Sequence, residues 1–457
     1  MKQILVLLVA FSCVDASAQR INIPPVERDT LENGLTVVLM KYDRVPVVHL
    51  RLMVRGGSAD DPADRPGVAS MMAALLKEGT TSRSSAEIAD EIDFTGGYVS
   101  TGAGLDYCAV TMEVLSKDLD TGIDLFSDVV LRPSFPQAEL DRERKQRLAE
   151  LEGMKEDPSA IASRVFTRNV YGDHPYGRQV EGTFASLGAI TREDLDRFYR
   201  SIFVPGNAML VAVGDVDPAV LKQSLARAFG LWERGVVSRT ITEAPVPRPG
   251  KSIIVVDKPD ATQTQVRIGN TGVPINHPDR FSLLVANTVF GSGFTSRLID
   301  ELRVKRSLTY GASSGFPSSL AGGSYVISTF TRTETTADLL AVVLDQISLF
   351  RSDGPTAEEV DKAKNYIAGG FARGLQTPGA LASRITDGEL FGLPSDYLQT
   401  YIEDVKSVRL EEMNRVIKER FLIDDLLIVL VMPSSARPEM LEEIGSVSVI
   451  GLDAAVE

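Results

Sequence analysis

The chain has 457 residues, 44% of them hydrophobic and 24% charged, which is the composition of a globular protein rather than a disordered or fibrous one. Its formal net charge of −14 argues against nucleic acid and against an anionic membrane surface as partners. Two cysteines, Cys13 and Cys108, leave no room for a disulfide framework or a cysteine-built zinc site.

From the N-terminus, Lys2, the apolar run 4–14 and the small residues Ala16-Ser17-Ala18 read as a signal peptide over 1–18, with the mature chain starting at Gln19. A lipoprotein reading through Cys13 is the weaker one, because Ala10-Phe11-Ser12 is a poor lipobox. No later segment is long and apolar enough to span a bilayer, so the expectation is an exported protein, periplasmic in a Gram-negative cell.

The mature length is about three times that of a typical domain. Short β-branched runs predict strands at 35–40, 47–54, 108–114, 208–213, 252–256, 265–269, 323–331 and 426–431. Helical spacing predicts helices at 67–77, 85–94, 116–130, 137–155, 160–170, 192–203, 218–228, 280–289, 296–306, 336–350, 357–375 and 410–420. Residues 240–251 hold Pro245, Pro247, Pro249 and Gly250 and read as a linker.

The halves on either side, 19–239 and 252–457, look like copies. Phe135-Pro136-Gln137-Ala138-Glu139 and Asp353-Gly354-Pro355-Thr356-Ala357-Glu358 each precede a long polar helix, and Pro136/Pro355 and Glu139/Glu358 share one offset of 219. The fold class expected is α+β: two duplicated domains, each a mostly antiparallel sheet with helices on one face.

Gly67-Val68-Ala69-Ser70-Met71-Met72-Ala73-Ala74-Leu75-Leu76-Lys77-Glu78-Gly79-Thr80 resembles the metal-binding helix of the pitrilysin/insulinase family of zinc peptidases, which reads G-x-A-H-x-x-E-H there. Two imidazoles at i and i+4 share one helix face and can hold zinc, with the intervening carboxylate as general base. This chain places Ser70, Ala73 and Ala74 at those positions, and a hydroxyl and two methyls can do neither. The third ligand position of the family, counted on from Ala74, is Glu150. Other matching landmarks are Leu31-Glu32-Asn33-Gly34, His174-Pro175-Tyr176-Gly177 and Pro205-Gly206-Asn207. The three histidines, His49, His174 and His277, are too scattered to replace the missing pair.

In the second half, Ser292-Gly293-Phe294-Thr295-Ser296-Arg297-Leu298 leads to Arg303 and Tyr310. In the family an Arg and a Tyr at this spacing reach a zinc-bound substrate, where both can donate to an oxygen gaining negative charge. The resemblance therefore implies an inactive, substrate-binding subunit of a heterodimeric zinc endopeptidase, similar to the two-domain mitochondrial processing peptidase type. Arg303 and Tyr310 would act in trans. No metal would be bound by this chain, and zinc would sit in a homologous partner with an intact H-x-x-E-H. The substrate would be a peptide or unfolded protein. A non-proteolytic scaffold, or a peptide-binding holdase of the same fold, is the alternative. A hydrolase using Ser70 as nucleophile has no G-x-S-x-G context to support it.

Overall fold

The computed structural model describes residues 23–235, 237 and 242–457; the signal peptide expected at 1–18 and the first two linker positions lie outside the described residues. The first half forms a six-stranded sheet from β1 (Val26–Thr30), β2 (Thr36–Lys41), β3 (Val47–Arg55), β4 (Tyr98–Ala103), β5 (Tyr107–Leu115) and β6 (Ala208–Gly214). The second half builds another from β7 (Lys251–Asp257), β8 (Gln263–Thr271), β9 (Ala312–Gly315), β10 (Ser324–Arg332), β11 (Leu426–Met432) and β12 (Ser446–Gly451).

The strand orders are β1-β2-β6-β3-β5-β4 and β12-β7-β11-β8-β10-β9. Five strands correspond one to one. The sixth differs: β1 comes from the start of the chain and runs antiparallel to β2, whereas β12 comes from its end and runs parallel to β7. Most pairings in both sheets are antiparallel, so the α+β duplication holds.

Strand alternation sends every second side chain to each face. On the first sheet Val37, Leu39, Leu50, Leu52, Leu210 and Ala212 meet that half's own helices. The residues between them, Val38, Met40, Met209, Val211 and Val213, meet Leu381, Ala382 and Ile385 of the helix Pro378–Leu390, which belongs to the second half. The second sheet mirrors this. One face carries its own helices; the other, with Ile254, Val256, Leu427, Val429 and Val431, packs on Ile161, Val165, Phe166 and Val170 of the first-half helix Pro158–Tyr171. Each half thus lends one helix to the other.

The loan explains the composition of the central strands. Every residue of β6 and of β11 is buried, and both read as unbroken apolar runs because neither face meets water. Gly379 fits the same geometry: a Cβ there would lie 3.1 Å from His49 Cε1 on β3, so the borrowed helix rests close on the sheet. Polar contacts add to the join. Tyr176 Oη donates to Asp106 Oδ1 at 2.7 Å and accepts from the amide of Ala321 at 2.9 Å, and Asp106 Oδ2 accepts from the Leu320 amide at 3.0 Å.

A pair of fragments tests this arrangement. Residues 23–235 and 242–457, expressed separately, are expected to aggregate or bind the dye ANS, because each leaves an apolar sheet face bare. Co-expressed, they are expected to give one soluble complex with a single cooperative melt. A soluble, monomeric fragment with its own cooperative melt would contradict the exchange.

Candidate functional site

The helix Val68–Leu75 starts at Gly67, whose φ of 98° is costly for residues with a Cβ. Asp61 takes the place of an N-cap: its Oδ2 accepts from the Gly67 amide at 2.7 Å and its Oδ1 from the Ala69 amide at 2.8 Å. Val68, Ala69, Met71, Met72 and Leu75 are buried in the first core. Ser70 and Ala74 share the half-exposed face, and Ala73 is fully buried. The helix that the resemblance assigns to metal binding is therefore held by its apolar side, while its outer face presents Ser70 and Ala74.

Opposite that face lies Gln137–Met154, a helix so polar that Leu140, Arg147 and Leu151 are its only buried side chains. Arg147 sits in the middle of this narrow stripe. Its Nη1 donates to Ser70 Oγ at 2.9 Å, Nη2 to the Ser70 carbonyl at 3.2 Å, and Nε to Glu143 Oε1 at 2.8 Å. Glu150 is exposed on the same helix and accepts from Gln146 Nε2 at 2.9 Å. These residues do not fit zinc. A guanidinium occupies the Ser70 side of the place that the resemblance assigns to the metal, and a buried cation repels a second one. Among the described residues no group of three or more His, Cys, Asp or Glu side chains could hold a metal ion.

Each histidine has a structural setting. His49 is buried beside Glu113, Nδ1 to Oε2 3.3 Å, and burial lowers its pKa below the ordinary imidazole value despite that carboxylate. His174 Nδ1 accepts from the Tyr176 amide while Nε2 contacts the Glu243 carbonyl. His277 Nδ1 accepts from the Asp279 amide. Cys108 is buried, and burial pushes its thiol up, out of the reactive range.

Arg303 and Tyr310 come together. Both line a cavity of about 480 Å³ beside β9. The helix expected over 296–306 is α-helical only at Arg297–Ile299 and continues as a π-helix, Asp300–Lys305, that carries Arg303. The Leu308 amide reaches back to the Leu302 carbonyl at 2.8 Å, and Ser307 turns the chain at φ 53°, a conformation uncommon for a residue with a Cβ. Such widened turns and strained residues gather at functional positions. Gly291 sets the opposite wall: a Cβ there would lie 2.2 Å from Ser314 Oγ, so only glycine lets this turn approach β9.

The cavity also contains residues that motif reading passed over. Phe294 is 83% exposed, Tyr310 82% and Tyr366 59%, and all three border it. Arg267, on β8, is held by the borrowed helix: its Nη2 donates to Ser159 Oγ at 2.7 Å and its Nε to Ser163 Oγ at 3.2 Å. Arg303 forms no ion pair with another described residue, and no described residue lining the cavity is acidic. In a chain of net charge −14 this is a local basic pocket with aromatic edges, suited to carbonyl and carboxylate oxygens. Phe294 lies within the segment already quoted, but its exposure was not readable from spacing.

Arg147 gives a test. The variant Ser70→His/Ala73→Glu/Ala74→His is expected to bind zinc at least about tenfold more weakly than the same variant with Arg147→Ala added, because the guanidinium opposes the dication. Competition with a zinc-sensitive dye measures both. Equal affinities would show that Arg147 does not hold the metal position.

Residues 36–184 match the family model described as insulinase (peptidase family M16), and residues 189–367 match that described as the peptidase M16 inactive domain. An uncharacterized zinc protease of Mycobacterium leprae is 28% identical over 388 residues, 85% of this chain and 87% of the relative. The Bacillus subtilis uncharacterized zinc protease YmxG is 23% identical over 414 residues, 90% of this chain and 100% of the relative. The crystal structure of a peptidase M16 inactive domain from Pseudomonas fluorescens superposes with a TM-score of 0.85 at 28% identity, covering 91% of this chain and 99% of that one. A Helicobacter pylori protease at 20% identity, TM-score 0.80, with 90% and 100% covered, shares the fold. Two family models along one duplicated fold, with Ser70, Ala73 and Ala74 on an otherwise preserved metal helix, show that the chain belongs to peptidase family M16 as a member without that family's zinc-binding histidine pair.

Proposed function

We propose that this chain is the non-catalytic, substrate-binding subunit of an exported heterodimeric zinc metalloendopeptidase. Its partner is a homologous chain with an intact H-x-x-E-H, which holds the zinc. The observation that carries this reading is the contrast between the two sites. The degenerate metal helix is stapled shut by Arg147, whereas Arg303 and Tyr310 share an acid-free cavity, and Tyr310 stands almost fully in solvent. An exposed tyrosine beside Phe294 and an arginine with no ion pair to another described residue suits a surface that a second chain and its peptide cover.

In this reading Arg303 and Tyr310 donate to the peptide carbonyl as its oxygen gains negative charge on the partner's zinc side. Arg267 adds positive potential at the rear of the pocket. The leader over 1–18 carries the chain out of the cytoplasm, to the periplasm in a Gram-negative cell. No described helix is long and apolar enough to cross a membrane.

The test is steady-state peptide cleavage by the mixed subunits, with size-exclusion chromatography to follow assembly. Tyr310→Phe and Arg303→Ala are each expected to lower kcat/KM on the order of 10²-fold with the complex intact. Tyr310→Phe is the sharper variant, since it removes one hydroxyl and almost no packing. Unchanged kcat and KM in both would assign the pair a structural role and leave the chain as scaffold or holdase.

A further inference from the structure

A second cavity, of about 270 Å³, lies between the helix Arg280–Phe290, the helix Tyr397–Ser407 and the borrowed helix Pro378–Leu390. Its walls are apolar and largely aromatic: Phe281, Leu284, Phe316, Tyr397 and Tyr401. Phe281 meets Tyr401 edge-on at 5.3 Å and stacks with Tyr397 at 6.3 Å. Rings locked against one another give a rigid slot whose shape is set before a ligand arrives.

Two guanidiniums enter this slot from different helices. Arg280 lies over Phe281, 4.5 Å from the ring centre, and 5.7 Å from that of Tyr397. Its Nε is buried without a hydrogen-bond partner among the described residues, which is costly unless something else supplies an acceptor. Arg384 comes from the borrowed helix and lies 5.9 Å from the Phe371 ring. Neither side chain hydrogen-bonds or ion-pairs with another described residue. Asp387 is the one acidic residue in the lining; burial raises its pKa while the charges of Arg51 and Arg384 lower it, and two guanidiniums against one carboxyl group leave the lining with a surplus of positive charge. Nothing in this cavity is shared with that of Arg303 and Tyr310.

We propose that this cavity binds an apolar carboxylate, its aromatic or branched body of about ten heavy atoms filling the ring-lined slot and its carboxylate held between Arg280 and Arg384. The same chemistry is offered by a free acid and by the C-terminal residue of a peptide. The site does not depend on the partner subunit or on the proposed role of Tyr310.

Calorimetry on the mature chain tests it with 3-phenylpropionate, the neutral 3-phenylpropan-1-ol, and N-acetyl-Ala-Ala-Phe with a free or an amidated C-terminus. The acid is expected to bind at least about tenfold more tightly than the alcohol, since a guanidinium–carboxylate pair is the stronger bond. Arg280→Gln and Arg384→Gln are each expected to erase that preference while leaving the weak binding of the alcohol in place. Tight binding of the free-carboxyl peptide but not of its amide would identify the source as a peptide end; binding of the small acid alone would identify a metabolite. Equal affinities for acid and alcohol in the unsubstituted chain, or no binding of acid and free-carboxyl peptide at millimolar concentration, would overturn the proposal.

Discussion

The exchange of one helix between the two halves is the constraint on which the other features rest. Ile161, Val165, Phe166 and Val170 are all essentially buried against the second sheet. Full burial of such side chains contributes about 1.5–3 kcal/mol each, so the four together contribute on the order of 6–12 kcal/mol as an upper estimate. That is comparable with the whole net stability of an ordinary domain, about 5–15 kcal/mol. Neither sheet can do without the helix it borrows, and the two duplicated units behave as one body. The cavities follow from it. Ser159 and Ser163 of one borrowed helix orient Arg267 in the first cavity, and the other borrowed helix supplies Arg384 and Asp387 to the second.

The same logic explains why a metal helix survives without its metal. The apolar side of Val68–Leu75 is part of the first core, so the helix is retained for packing whatever its outer face does. That outer face carries no imidazole, and Arg147, oriented by Glu143, closes the opening by donating to the hydroxyl and the carbonyl of Ser70. A buried guanidinium is stable only with acceptors around it, and Ser70 supplies two, its hydroxyl and its carbonyl. The serine therefore has a positive role in this chain beyond being a lost histidine.

Much of the fold was legible because the inner strands carry the pattern that burial demands. β2, β3, β5, β6, β7, β8, β10 and β11 all fall on runs that read as strands. β1, β4, β9 and β12 did not, and each is an edge or near-edge strand with exposed positions and a weak apolar pattern. The borrowed helix Pro378–Leu390 was missed for a related reason. Pro378, Gly379 and Gly388 dilute its helical signal, whereas in the fold Pro378 is its first residue and Gly379 permits its close seat over His49.

At the site, it was the family resemblance that pointed to Ser70 and Ala74 and to Arg303 and Tyr310, the last two of which line one cavity. It did not point to Arg147, because one arginine in a polar helix reads as solvated. Its only signal is the spacing of Leu140, Arg147 and Leu151 on a single stripe. The exposed aromatics Phe294 and Tyr366 were equally silent, since exposure is a property of the folded surface and not of a run of residues.

We propose that the chain works as half of a two-subunit protease. The decisive measurement is native mass spectrometry of the species that co-purify with this chain from its own organism. The account predicts one copy of this chain, one copy of a similar-sized chain containing H-x-x-E-H, and one zinc ion that leaves with the partner on dissociation. Recovery of this chain alone, or of a zinc ion that stays with it, would contradict the account.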